Sequence, residues 1–273
     1  MKKINIKKLS VLAAVFVLLL TGCSTSKTTD TGSLEAIKKA GVIKIGTNSG
    51  YPPYEFYITN DGKKELAGYD VDLAKEIAKK LDVKIEWVDI DFDALVPSLL
   101  TNKFDIIMAG LIATDERKKS IDFSDNYYNS KTVAVAKKDV VNDYAKAENL
   151  KGKTIVAQTS TTQATAAQSI AGAKVTELPG VTDTISSVLS NQSDVLFIAE
   201  VVAKSIVAQN PDLEYVKIEG IDDKLLQDGA SVGMKKDDAA LQTEINKIIT
   251  ELKDSGKLDE MFVKNQKLAG EQK

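Results

Sequence analysis

Apolar residues recur along the chain in two alternating rhythms. Val42–Gly46 is a short apolar run of strand type, and Val83–Val88 alternates like a half-buried strand. Between them, Val71, Ala74, Ile77, Ala78 and Leu81 recur at helical spacing, which predicts a helix over Asp70–Leu81. Phe92–Thr101 gathers Phe92, Leu95, Val96, Leu99 and Leu100 on one helical face, with Pro97 in its middle. Asp105–Ala109 reads as a buried strand. Thr114–Lys119 opens like a helix, with Thr114 as N-cap and Asp115 and Glu116 in the first turn.

The alternation continues. Thr132–Ala136, Thr154–Ala157 and Val195–Ile198 read as strands, and Thr161–Ile170, Thr182–Ser190 and Val201–Ala208 as helices. Leu241, Ile245, Ile248, Ile249 and Leu252 predict a longer helix, and Lys257–Val263 a shorter one after Gly256. Repeated strand–helix units imply an α/β fold with mostly parallel sheets covered by helices.

The beginning of the chain is different. Met1–Lys8 carries four lysines and no acid, and Leu9–Leu20 is almost wholly apolar. That stretch has signal-peptide length and is shorter than the roughly 20 residues that span a bilayer. Leu20-Thr21-Gly22-Cys23 resembles the bacterial lipobox, and Cys23 is the only cysteine. The expectation is a signal peptide over 1–22, then a lipidated Cys23 and a polar tether over 23–33. Two acyl chains on Cys23 would hold the remainder to a bacterial cell membrane, outside the cytoplasm.

Composition narrows the function. The 273 residues carry a net charge of −3, so no nucleic-acid partner is expected. No histidine is present, which removes Ser-His-Asp and Cys-His catalysis and imidazole zinc sites. No cofactor or metal is expected. A lone cysteine leaves no internal disulfide. The 36 basic residues comprise 35 lysines and one arginine, Arg117. A guanidinium offers a carboxylate a rigid two-pronged fork that an ammonium cannot reproduce. The plainer reading is a surface arginine paired with Asp115 or Glu116.

Seven segments then fall in a telling order. They are Gly50-Tyr51-Pro52-Pro53-Tyr54-Glu55-Phe56, Leu66–Ala74, Phe104–Gly110, Thr114–Lys119, Ile121-Asp122-Phe123-Ser124, Leu150-Lys151-Gly152-Lys153 and Asp254-Ser255-Gly256-Lys257. Together they resemble the family 3 extracellular solute-binding proteins, the polar amino-acid receptors of ABC importers. The resemblance covers about residues 34–267. It implies a two-lobed, type II periplasmic-binding-protein fold with two crossover strands as hinge. Lobe 1 would be 34–128 plus 228–267, lobe 2 would be 129–227, and 268–273 a polar tail. The ligand would lie between the lobes, which close on it.

The same resemblance implies the site. Arg117 would clamp the ligand carboxylate. Tyr51, Tyr54 and Phe92 would be aromatic walls, although core packing explains aromatics equally. Gly110, Leu111 and Ile112 would supply backbone groups to the α-groups of an amino acid, with Ile112 standing where the family usually has Thr or Ser. Ser160, Thr161, Thr162 and Gln163 would meet the same carboxylate from lobe 2, beside the alternative of plain N-capping by Thr161. Asn48 would reach the ligand side chain. The family usually has an acid for the α-ammonium where this chain has Ala199, and Glu200 is the candidate substitute. Asp70 and Asp72 are explained at least as well by helix capping.

The expected function is capture of a polar amino acid and delivery to the permease, without catalysis and by a monomer. Two alternatives remain open at the level of sequence. One is a dehydratase of cyclic carboxylates on the same scaffold, with Glu200 or Glu55 as general acid. The other is a sensory or adhesive lipoprotein.

Overall fold

The computed structural model describes residues 33–271. The leader, Cys23 and all of the tether but Ser33 lie outside the described residues. Ser33 itself opens the first helix.

The elements run α1 (Ser33–Ala40), β1 (Val42–Thr47), β2 (Phe56–Asn60), β3 (Lys63–Ala67), α2 (Tyr69–Leu81), β4 (Lys84–Asp89) and α3 (Leu95–Leu100). Next come β5 (Ile106–Ile107), β6 (Ile121–Phe123), β7 (Tyr128–Lys137), β8 (Thr154–Gln158), α4 (Thr162–Gln168), β9 (Lys174–Leu178) and α5 (Val181–Leu189). The rest is β10 (Val195–Ala199), α6 (Glu200–Gln209), β11 (Leu213–Val216), α7 (Asp223–Leu226), β12 (Gln227–Ala230), β13 (Gly233–Lys235), α8 (Ala239–Asp254) and α9 (Lys257–Gly270).

Two sheets form the two lobes. The first has the order β4-β1-β5-β13-β6, and the second β11-β7-β10-β8-β9 with β12 paired to β7. Each is parallel where βαβ units build it: β4, β1 and β5 in the first, β10, β8 and β9 in the second. Each also takes antiparallel strands from chain passing between the lobes. β13 pairs antiparallel with β5 and β6, and β7 antiparallel with β10, β11 and β12. The sheets are therefore mixed rather than mostly parallel, because two crossings must return the chain to the first lobe.

Local chemistry explains the element ends. Gly68 precedes α2 with φ 136°, and a Cβ there would stand 2.0 Å from the Tyr54 carbonyl oxygen. Only glycine allows that approach. Asp70 and Asp72 then lie in the first turn of α2, and Lys79 and Lys80 in the last, matching the helix dipole. The Phe92–Thr101 segment divides into a 3-10 turn at Phe92–Ala94 and the helix Leu95–Leu100. Pro97 has no N–H to give to an earlier carbonyl, so it is tolerated only in the first turn of a helix that begins at Leu95. Thr114–Lys119 shortens to a 3-10 turn at Arg117–Lys119, with Thr114 Oγ1 accepting from Arg117 N at 3.2 Å.

The end of the chain departs from a polar tail over 268–273. Helix α9 continues to Gly270, and Ala269 is buried. It packs on α2 and α8 of the first lobe and on α6 of the second. Phe262 stacks on Tyr128 with centroids 4.0 Å apart and meets Tyr69 edge-on at 5.5 Å. Gln209 Nε2 donates to the Ala269 carbonyl at 2.7 Å. The apolar spacing of α9 thus serves two lobes at once, and its last turn is held by the second.

Candidate functional site

The ends of strands from both sheets face one another across a cleft. On the first-lobe side, Asn48 follows β1. Tyr51 and Glu55 close a tight turn in which Tyr51 N donates to the Glu55 carbonyl at 2.9 Å. Phe92, Ala109, Gly110, Ile112 and Arg117 complete this wall. On the second-lobe side stand Gln158 at the end of β8 and Thr161, Thr162 and Gln163 at the start of α4. Val181 and Thr184 of α5 and Phe197 and Ile198 of β10 lie beside them. The space left between the walls is narrow and is lined about equally by polar and apolar groups.

The walls touch directly. Gln158 Nε2 donates to Asn48 Oδ1 and to the Pro179 carbonyl, each at 2.8 Å. Arg117 Nη2 donates to the Ser160 carbonyl at 2.9 Å, and Nη1 to the Ile112 carbonyl at 2.8 Å. The guanidinium also lies over the Phe92 ring, 5.3 Å from its centroid. The cleft is in a closed arrangement, with a protein carbonyl from each lobe on the same guanidinium.

The turn that carries Tyr51 is shaped by what lies behind it. Tyr51 stacks on Tyr54 at 5.5 Å and 12°. Gly110 has φ 56°, and a Cβ there would sit 3.0 Å from the Tyr51 ring. The Gly110 N–H points away from the cleft and donates to Asp70 Oδ2 at 2.9 Å. Tyr127 O–H donates to both oxygens of Asp70, at 2.8 and 2.9 Å. Asp70 is fully buried, and burial pushes its carboxyl up to about 6 despite those donors. It therefore joins the Gly110 loop to the residue that leads into the crossover strand β7.

Glu55 is the electrostatic feature that residue patterns do not disclose. It is fully buried and lines the cleft. Neither carboxylate oxygen has a hydrogen-bond partner. Burial first, then the negative charges of Asp70 and Asp89, drive its pKa well above the ordinary glutamate value. A buried carboxylate without donors is costly, so a cation or hydrogen-bond donor reaching it from the cleft would be favourable. Among the described residues, no three acids or cysteines gather in a way that could hold a metal ion.

Of the residues expected at the site, Asn48, Tyr51, Phe92, Gly110, Ile112, Arg117, Thr161, Thr162 and Gln163 line the cleft. Four do not. Tyr54 is 1% exposed and forms the layer behind Tyr51. The Leu111 side chain turns into the first-lobe core, and its carbonyl accepts from Ser231 N at 2.9 Å. Ser160 sits at the rim with φ 62°, presenting its carbonyl to Arg117. Glu200 begins α6 and pairs with Lys204 at 3.3 Å, one turn along the helix. Glu200 is not among the residues that line the cleft. Thr161 also caps α4, its hydroxyl accepting from Ala164 N at 3.2 Å, so capping and cleft-lining coexist. Sequence reasoning named Glu55 only as a general acid of the dehydratase alternative, not as a ligand-facing group, and it missed Gln158. The available signal was that Glu55 lies four positions after Tyr51 in the same motif.

Residues 43–266 match the model of the bacterial extracellular solute-binding proteins, family 3. The arginine-binding extracellular protein ArtP of Bacillus subtilis (strain 168) is 32% identical over 250 residues, 90% of this chain and 94% of its own. The lysine/arginine/ornithine-binding periplasmic protein of Escherichia coli (strain K12) is 33% identical over 252 residues, 90% and 93% of the two chains. A solved structure is similar throughout: the amino acid ABC transporter substrate-binding protein AbpA of Streptococcus pneumoniae Canada MDR_19A, bound to L-arginine. It superposes with a TM-score of 0.83 at 34% identity, covering 88% of this chain and all of that one. A two-lobed α/β frame, a cleft between strand ends and a family match spanning both sheets lead to one conclusion: the chain belongs to the bacterial extracellular solute-binding proteins, family 3.

Proposed function

We propose that this protein captures a basic amino acid of the arginine type between its lobes and presents it to an ABC permease. The observation that carries the reading is the Glu55 carboxylate, buried in the cleft wall with no donor of its own. A guanidinium or ammonium on the ligand side chain supplies the missing donors. The Gln158 amide, part of the same pocket, gives a neutral second contact. Tyr51 and Phe92 offer flat faces on which a planar cation can lie. Arg117, with the amides and hydroxyls at the start of α4, takes the ligand carboxylate. The names of the relatives, which bind arginine or lysine and ornithine, agree with this charge pattern.

The physical sequence is capture and closure rather than chemistry. Arg117 donates to the Ser160 and Ile112 carbonyls, one from each lobe. A ligand carboxylate replaces these neutral acceptors with a charged one, which strengthens the contact between lobes. Closure then presents a surface made of both lobes to the permease. Lipid on Cys23 keeps the protein, as a monomer, at the membrane where that permease lies.

The test is calorimetric titration of refolded protein with L-arginine, L-lysine, L-glutamine and L-glutamate. Arginine is expected to bind tightly and glutamate not to bind, because a second carboxylate would face Glu55. Tight glutamate binding would overturn the reading.

A further inference from the structure

We propose that the cleft reads its ligand as a dipolar chain with a carboxylate at one end and a cation at the other, and that an α-ammonium contributes little to affinity. The inference rests on the arginine-type reading above and refines it.

The argument is a charge census of the walls. Among the described residues lining the cleft, Arg117 is the only cation and Glu55 the only acid; every other lining group is neutral. An arginine-type amino acid carries three charges: one carboxylate, one side-chain cation and one α-ammonium. Arg117 answers the carboxylate and Glu55 the side-chain cation. No acid is left for the third charge.

The nearby acids are already engaged elsewhere. Asp70 does not line the cleft, and its oxygens accept from Gly110 N–H and Tyr127 O–H. Glu200 pairs with Lys204. Asp89 accepts from Ser49 N at 2.9 Å and from Tyr57 O–H at 3.0 Å. Ala199, fully buried at the end of β10, offers no polar side-chain atom.

An α-ammonium in the closed cleft would therefore meet only amide, hydroxyl and carbonyl oxygens. Such acceptors offset part of the cost of stripping water from an ammonium, but not the unbalanced charge. A ligand without that group carries no net charge, as the two lining charges together carry none. The ligand class is then ω-guanidino and ω-amino carboxylic acids, with basic α-amino acids as one subset.

The experiment uses the purified full-length chain, refolded from denaturant to remove carried-over ligand. Three probes are titrated calorimetrically: L-arginine, 5-guanidinopentanoate (which lacks only the α-amine) and agmatine (which lacks only the carboxylate). The expected result is that 5-guanidinopentanoate binds within about tenfold of L-arginine, while agmatine binds at least about a hundredfold more weakly. If L-arginine binds and 5-guanidinopentanoate is weaker by more than about tenfold, the α-ammonium has a strong partner and this inference falls, while the arginine-type reading stands. If neither binds, or agmatine matches L-arginine, the arginine-type reading itself falls and takes the inference with it.

Discussion

Gln158 Nε2 donates to Asn48 Oδ1 at 2.8 Å, and this one bond joins the end of β8 in the second sheet to the loop after β1 in the first. With the bond from Arg117 to Ser160, it ties the two lobes together across the cleft. A neutral hydrogen bond contributes about 1 kcal/mol net, a factor of about five in an equilibrium. Asn48→Ala should lower the closed-to-open ratio of ligand-free protein about fivefold. Single-molecule energy transfer between a label on each lobe reads that ratio. An unchanged ratio would show that this bond follows closure rather than sustains it.

Arg117 bears the fork that separates carboxylate from other anions. Arg117→Ala should weaken L-arginine binding by about a hundredfold or more, because it leaves a buried carboxylate without its cation. Arg117→Lys should recover only part of the loss, since an ammonium has no fixed two-pronged geometry. Both follow from titration calorimetry, and a lysine variant equal to the parent would contradict a bidentate role.

Glu55 should set affinity against stability. Burial raises its pKa, so keeping it charged at pH 7 costs folding free energy. Glu55→Gln removes that cost, and the melting temperature without ligand should rise. The same change replaces a charged acceptor by a neutral one, so affinity for L-arginine should fall about tenfold to a hundredfold. A variant that lost stability and kept affinity would place Glu55 in the structural core instead.

Asp70 gives a pH signature. An acid whose folded pKa lies above its unfolded value stabilises the fold most at low pH. That contribution is lost as pH rises from about 3.8 to about 6. The size is about 3 kcal/mol across the window. Asp72 and Asp122, held below the usual aspartate range by lysine partners despite some burial, act in the opposite sense at more acid pH. The readout is therefore a difference: Asp70→Asn should flatten the fall in melting temperature between pH 4 and 6 relative to the parent. Parallel curves would refute the assignment.

Gly110 should tolerate no side chain. Gly110→Ala forces a left-handed backbone on alanine, costing about 1–2 kcal/mol, and drives a methyl toward Tyr51. A lower melting temperature and a weaker L-arginine titration should appear together, because the ring that must move lines the cleft.

The periodicity of apolar residues sufficed for the helices over Asp70–Leu81 and after Leu241, and for the strands that head each sheet. Their signals are local: burial of one helical face or one strand run follows from residues within a few turns. The same holds for the family, because its motifs are short segments whose order survives in one dimension. The hairpin of β2 and β3 escaped notice because its strands are mostly polar and exposed, with little apolar alternation to read. The antiparallel pairing of β13 with β5 joins residues more than a hundred positions apart, and no local pattern encodes it.

The site divides in the same way. Arg117 stood out as the lone guanidinium among lysines, and Tyr51 and Phe92 through their motifs. The burial of Glu55, the place of Gln158 in the cleft and the pairing of Glu200 with Lys204 were decided by tertiary structure alone. A carboxylate reads the same in a sequence whether water surrounds it or a protein wall does. Only burial in the folded cleft wall removes the solvent from Glu55. It is that loss of solvent which turns an ordinary acid into the position that asks for a cation.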